Sequence, residues 1–267
     1  VAQLNDDTYY DFTATLVTPS DIDSAAELAN YDVVMFGGNG SGPTNHQWTV
    51  AMATAVESWV SNGGGTVGTG WIDYNIGNSA VDQAMDDLIP IDASPNGNNV
   101  FCNTSPGYDF GSSTHPIADG LSNFTTGANN VEVSPLTPDE TIYEIVATGT
   151  GNCNGANNIN YAVVAGERGS GRTVYVGGMY QANAGYNTAS LRSGDDDRLI
   201  ENAVAWAASA TGMVDNDGDG YTSDVDCDDE DASLNLDDLD ADSFSTCDGD
   251  CDDNDASLEL ADADADG

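Results

Sequence analysis

Two hydrophobic rhythms alternate along the first 212 residues. Short apolar runs at 12–17, 31–36, 66–69, 131–133, 142–147, 161–165 and 173–176 predict strands. The run Tyr31-Asp-Val-Val-Met-Phe36 is nearly continuous and ends in Gly37-Gly38, the pattern of a strand buried on both faces of a parallel sheet. Between these runs, apolar residues recur every three or four positions. Trp48, Met52, Ala55, Val56 and Trp59 predict a helix over 46–60, closed by Asn62-Gly63-Gly64-Gly65. Asp21 is placed to cap a short helix through Leu28, and a further helix is expected over 80–88 before Pro90. Leu199, Ile200, Val204 and Trp206 line one face of a helix over 195–208. Residues 92–130 are rich in Asn, Gly and Pro and read as loop. Glu167 to Arg172 reads as the turn of a hairpin. Alternating strands and helices predict a three-layer α/β domain with a mainly parallel sheet over 1–212.

At 213 both rhythms stop. Residues 213–267 hold 22 of the 46 acidic residues, and the four arginines all precede them. With no lysine and a net charge of −42, the chain has no cationic cluster for phosphate, which excludes nucleic acid and anionic membrane as partners. No apolar run approaches the roughly 18 residues of a membrane span. No secretory leader stands at the start, so the sequence is read as a mature or trimmed chain. The acid is selectively aspartate, 37 Asp against 9 Glu, whereas a merely solvated surface would show no such preference.

The tail repeats. Asp215-Asn-Asp217-Gly-Asp219-Gly-Tyr221 recurs as Asp238-Leu-Asp240-Ala-Asp242-Ser-Phe244 and begins again as Asp262-Ala-Asp264-Ala-Asp266-Gly267, so the chain is expected to continue. In a twelve-residue calcium loop, Asp215, Asp217 and Asp219 fall at positions 1, 3 and 5, and Gly220 at the sharp turn of position 6. Tyr221 would supply a backbone carbonyl at 7, Ser223 a water-mediated contact at 9 and Asp226 a carboxylate at 12. Asp228, Asp229 and Asp231 are placed to complete a neighbouring site. The second loop offers Asp238, Asp240, Asp242 and Asp250, with Phe244 at the place of Tyr221. Cys251-Asp252-Asp253-Asn254-Asp255 repeats Cys227-Asp228-Asp229-Glu230-Asp231. These stretches resemble the thrombospondin type 3 repeat and the related MopE-type repeat of secreted bacterial proteins. The resemblance implies several bound Ca²⁺ ions and a calcium-stabilised region with little regular secondary structure. A segment so poor in apolar residues cannot fold on a core of its own, so its order is expected to come from the ions.

Five cysteines occur, none in a Cys-x-x-Cys pair and with only two histidines beside them, which argues against zinc. Cys102–Cys153 and Cys247–Cys251 are expected to be disulfides, with Cys227 left over. Together with the missing lysine and the abundant Asp, this points to an oxidising, calcium-rich extracellular setting. Triplets of the glycosylation type at Asn39, Asn103 and Asn123 add little in a chain so rich in Asn, Ser and Thr.

Five segments of the first domain resemble the class I glutamine-amidotransferase-like superfamily, in particular its ThuA-like branch. They are Tyr31-Asp-Val-Val-Met-Phe-Gly-Gly38, Trp59-Val-Ser-Asn-Gly-Gly-Gly65, His115-Pro-Ile-Ala-Asp-Gly-Leu121, Gly169-Ser-Gly-Arg-Thr-Val-Tyr-Val-Gly177 and Arg198-Leu-Ile-Glu-Asn-Ala-Val-Ala-Trp206. The resemblance implies a flavodoxin-like or amidotransferase-like sheet. Amidotransferases place a Cys nucleophile on a sharp strand-to-helix turn, with His and Glu partners. Here Gly63 to Gly70 carries no cysteine, and Thr66 and Thr69 have no adjacent base. His115 is expected to be structural and His46 to start a helix. The family's first buried strand is also missing, because Val1 to Asp6 reads as the tail of the helix that follows it. Upstream residues, an edge strand at 12–17, or a strand given by another copy are the three ways to fill that slot, and the last would build a filament.

The preferred expectation is therefore a secreted calcium-binding structural or adhesive protein, not an enzyme, built as domain 1–212 and repeats 213–267. It would be a subunit of a surface assembly or homopolymer, or a binder of surface glycans. The alternative is a tethered degenerate hydrolase, or a carbohydrate-binding module using Trp48, Trp71 or Tyr74 as an aromatic platform.

Overall fold

The computed structural model describes residues 1, 4–6, 8–37, 48–76, 80–91, 100–126, 131–133, 142–153, 160–180, 193–209, 227–228, 231, 233–234 and 244–248. The chain forms two compact units, Val1–Ala210 and Thr211–Gly267. The first is an α/β unit on one sheet, with strands β1 (Val33–Gly37), β2 (Gly65–Thr69), β3 (Val100–Asp109), β4 (Phe124–Thr125), β5 (Val131–Val133), β6 (Ile142–Cys153), β7 (Tyr161–Arg168) and β8 (Gly171–Val176). Their order is β1-β2-β8-β7-β6-β3-β4, with β5 paired to β3.

The sheet is mixed, where the alternation of strands and helices predicted a mainly parallel one. β1, β2 and β8 run parallel, Val33 beside Gly65 and Gly65 beside Arg172. From β8 onward every described pairing is antiparallel. The physical reason is connection length. β7 and β8 are joined only by the turn at Gly169, whose φ is +62°, and so short a link permits only antiparallel partners.

Helices cover both faces of the parallel half. The strand period of two sends Val174 and Val176 to one face and Tyr175 to the other. The first face packs on Leu199, Ile200, Ala203, Val204 and Ala207 of the helix Asp195–Ala208. The second packs on Met52, Ala53, Val56 and Val60 of the helix Val50–Ser61. In chain order these helices are α5 and α2; Ala25–Leu28 is α1, Ile72–Asn75 is α3 and Ala80–Asp86 is α4. α2 begins four residues later than its apolar spacing predicts. Thr49 Oγ1 accepts the Met52 N–H at 3.2 Å and caps it there, which leaves Trp48 ahead of the helix; His46 lies outside the described residues. α5 has the predicted bounds. Its three leading aspartates suit the positive helix end, and Arg172 donates to the carbonyls of Trp206 (2.9 Å) and Ser209 (2.6 Å) at the negative end.

Two strand expectations fail. β3 lies in the stretch that reads as loop. Thr104 and Ser105 adopt φ of +58° and +56°, and the register shifts between Asn103 and Gly107. This bulge hides the strand behind a turn-like sequence. Residues 12–17 form no strand and join no ladder. Asn5 instead brackets Ala14, its Nδ2 donating to Ala14 O at 2.9 Å and its Oδ1 accepting the Ala14 N–H at 2.7 Å. The outer edge of β1 consequently has no strand beside it among the described residues.

Candidate functional site

In open α/β sheets, ligand sites gather at the carboxyl ends of the parallel strands. Here β2 ends at Thr69, Gly70 N–H donates to Gly178 O at 2.9 Å, and the chain turns sharply at Trp71 into α3. Trp71 has φ +75°, a left-handed conformation that costs a residue with a side chain on the order of 1 kcal/mol. A strained strand-to-helix turn is where hydrolases of related architecture hold their nucleophile. An indole, 6% exposed, occupies that position here.

Beneath the turn lies a buried polar set. Tyr175 Oη donates to Glu132 Oε2 at 3.1 Å, and the Tyr74 N–H donates to Glu132 Oε1 at 3.1 Å. Asp73, Asn75, Glu132, Tyr175 and Tyr108 are all fully buried. Burial, then the charges of Glu132 and Asp73, hold the Tyr175 phenol well above its ordinary range, so it acts as a donor. Burial likewise raises Tyr108, and it pushes Asp196 to about 7 against an opposing Thr126 hydrogen bond. Glycine at 178 lets these rings pack close, since a Cβ there would lie 2.7 Å from the Tyr180 ring and 2.8 Å from Tyr108 Oη. Sequence reading missed Glu132 and Tyr175 entirely; an acid inside the apolar triplet Val-Glu-Val was the available signal.

His115 does not reach this set. Its Nδ1 accepts the Ile117 N–H at 3.2 Å and caps the turn Pro116–Ala118, while its ring lies 4.8 Å from that of Trp206. The aromatic platform is also not formed as expected. Trp71 is turned inward, edge-on to Tyr74 at 5.3 Å, and Trp48 is half-buried against the α2 side of the core.

A second feature runs along the free edge of β1. A cavity of about 550 Å³ separates residues 12–17 from β1. Its walls come from both core faces, Val34 and Phe36 from the α2 side and Ile200 and Val204 from the α5 side.

Of the metal ligands expected in the repeats, Asp228, Asp231 and Phe244 are described. Asp231 is exposed; its Oδ1 accepts from Ser233 N–H (3.2 Å) and Oγ (2.7 Å), which lowers its pKa. Asp228 is exposed and gives its carbonyl to the Asp231 N–H at 2.8 Å. Phe244 is half-buried beside buried Ser245. Asp215, Asp217, Asp219, Tyr221, Ser223, Asp226, Asp229, Asp238, Asp240, Asp242, Asp250, Asp252, Asp253, Asp255, Asp262, Asp264 and Asp266 lie outside the described residues.

The disulfides answer one expectation and correct another. Cys102 and Cys153 are bonded and stand opposite each other on β3 and β6. Cys247 pairs with Cys227, not with Cys251. The four-residue local loop loses to a twenty-residue link that joins one repeat to the next.

The unit is similar in fold to cytoplasmic protein STM3548 from Salmonella typhimurium, with 19% identity, a TM-score of 0.50, and 69% of this chain and 75% of that one covered. The shared feature is the fold. A Bacteroides uniformis protein described as ThuA-like is also similar, at 18% identity and a TM-score of 0.49 over 82% of this chain and 83% of that one. No family model and no curated protein matches the sequence. Among the described residues no helix is long and apolar enough to cross a membrane.

Proposed function

We propose that the chain is a calcium-binding extracellular protein of structural or adhesive role. In this reading a ThuA-like domain without a nucleophile is joined to a calcium-organised repeat. The observation that carries it is the phase of that repeat. Asp215, Asp217 and Asp219 are followed by Tyr221, Cys227 and Leu234, and the order returns as Asp238, Asp240, Asp242, Phe244, Cys251 and Leu258, with Ser243 at the place of Gly220 and one residue inserted before Asp250. Random acidity does not keep such company in register. Trp71 at the strained turn and His115 spent on a cap support the non-enzymatic half. The two disulfides support an oxidising compartment.

The test is equilibrium dialysis against Ca²⁺. Several ions should bind per chain, and Asp217→Asn with Asp219→Asn should remove at least one. A chain that binds no calcium at millimolar concentration overturns the reading.

A further inference from the structure

Unit 1 contains a carboxylate cluster far from the repeats. Asp6, Asp197 and Glu201 bring one oxygen each to within 4.8 Å of one another. Asp197 and Glu201 are one helical turn apart on α5, so their side chains share a face, an arrangement of like charges that by itself destabilises a helix. Asp6 arrives from a segment 191 positions away, read from Asp6 and Asp197. Asp197 and Glu201 are 2% and 1% exposed, whereas Asp6 is exposed, so solvent reaches the cluster at Asp6.

Glu201 carries the decisive detail. Its Oε2 accepts the N–H groups of Tyr9 and Tyr10 at 3.2 and 3.1 Å. Its Oε1 is buried and has no hydrogen-bond partner among the described residues. The neighbouring charges that act on this carboxyl are those of Asp197 and Asp6, both of its own sign. A buried carboxylate oxygen left bare among like charges is costly unless a cation takes it.

We propose that Asp6, Asp197 and Glu201 bind a hard divalent cation, Ca²⁺, which pins the N-terminal segment to the first turns of α5. The donor set is all oxygen and all anionic, which suits Ca²⁺ and not a metal that prefers nitrogen or sulfur. The spacing fits as well. Two oxygens held about 2.4 Å from one calcium ion can be at most about 4.8 Å apart. Water from the open Asp6 side completes the six to eight ligands. The ion would relieve the repulsion and hold the segment that forms one wall of the cavity beside β1. The site stands independently of the repeats.

Hydrogen exchange on the full chain tests it, with Ca²⁺ alone as the probe and EGTA as the reference. In the native protein, Ca²⁺ should slow exchange over residues 5–14 at least tenfold, most clearly at the Tyr9 and Tyr10 amides. Asp6→Asn alters an exposed side chain, so the fold should survive. It should abolish that local response while residues 213–267 respond to Ca²⁺ as before. Glu201→Gln should act more strongly, and its effect on the midpoint of denaturation should change sign: neutral or stabilising in EGTA, destabilising in Ca²⁺. A native chain with no Ca²⁺ response at 5–14, or an Asp6→Asn chain that keeps it, overturns the proposal whatever the repeats do. Loss of the response in the repeats alone would instead count against the proposed function.

Discussion

Tyr175 Oη donates a 3.1 Å hydrogen bond to Glu132 Oε2 across 43 residues of sequence, and both side chains are fully buried. The pair joins β8 to β5 beneath the Trp71 turn. A buried carboxylate that loses its donor bears the full cost of its burial. Tyr175→Phe should therefore lower stability by about 2 kcal/mol in urea denaturation. A change below about 0.5 kcal/mol would show that the pair is not formed.

Trp71 sets packing against strain. Trp71→Gly would relieve the left-handed backbone by on the order of 1 kcal/mol but remove a buried indole, a loss of roughly 3–5 kcal/mol. The net expectation is destabilisation by about 3 kcal/mol. A stabilised Gly variant would mean that the indole contributes little at this turn.

His115 gives the unit a pH dependence. Burial lowers its pKa, aided by Arg172 and opposed by Glu144 and Glu167. The unfolded chain therefore takes up this proton at higher pH than the folded one, and stability falls as pH drops below about 6.5. His115→Asn keeps a cap acceptor for Ile117 N–H and removes the titration. Melting temperatures between pH 7.5 and 5 should drop less in this variant than in the native chain. Equal drops would remove His115 from the account.

Peptide mapping without reduction should recover Cys102 linked to Cys153 and Cys227 linked to Cys247, leaving no more than one thiol per chain. Cutting the Cys102–Cys153 bridge should cost about 4 kcal/mol in a chain-entropy estimate for its 51-residue separation. Recovery of a Cys247–Cys251 peptide would contradict the link between repeats.

Much of the first unit was legible because local signals agreed with tertiary ones. Val33 to Gly37 is an apolar run closed by glycine, Gly65 to Thr69 is a short β-branched stretch between glycines, and Asp195 to Ala208 carries its apolar stripe and acidic start. β3 was hidden because Asn-Thr-Ser-Pro-Gly is turn chemistry that the fold uses as a bulge within a strand. Sheet order was hidden because pairing is a long-range property that hydrophobic spacing does not encode. The candidate sites were the least legible part. Glu132 meets Tyr175, and Asp6 meets Glu201, only once the chain has folded back over 43 and 195 positions, taken from their residue numbers. The repeats show the opposite case, in which ligand spacing is local and stands in the sequence itself.

In the proposed reading, calcium organises residues 213–267. Hydrogen exchange with Ca²⁺ and with EGTA, resolved by peptide, decides whether it does. A segment with twenty-two acidic residues and few apolar ones should lose its protection when the ion is removed, while β2, β7, β8 and α5 keep theirs. Protection over 213–267 that is the same in calcium and in EGTA would contradict the claim.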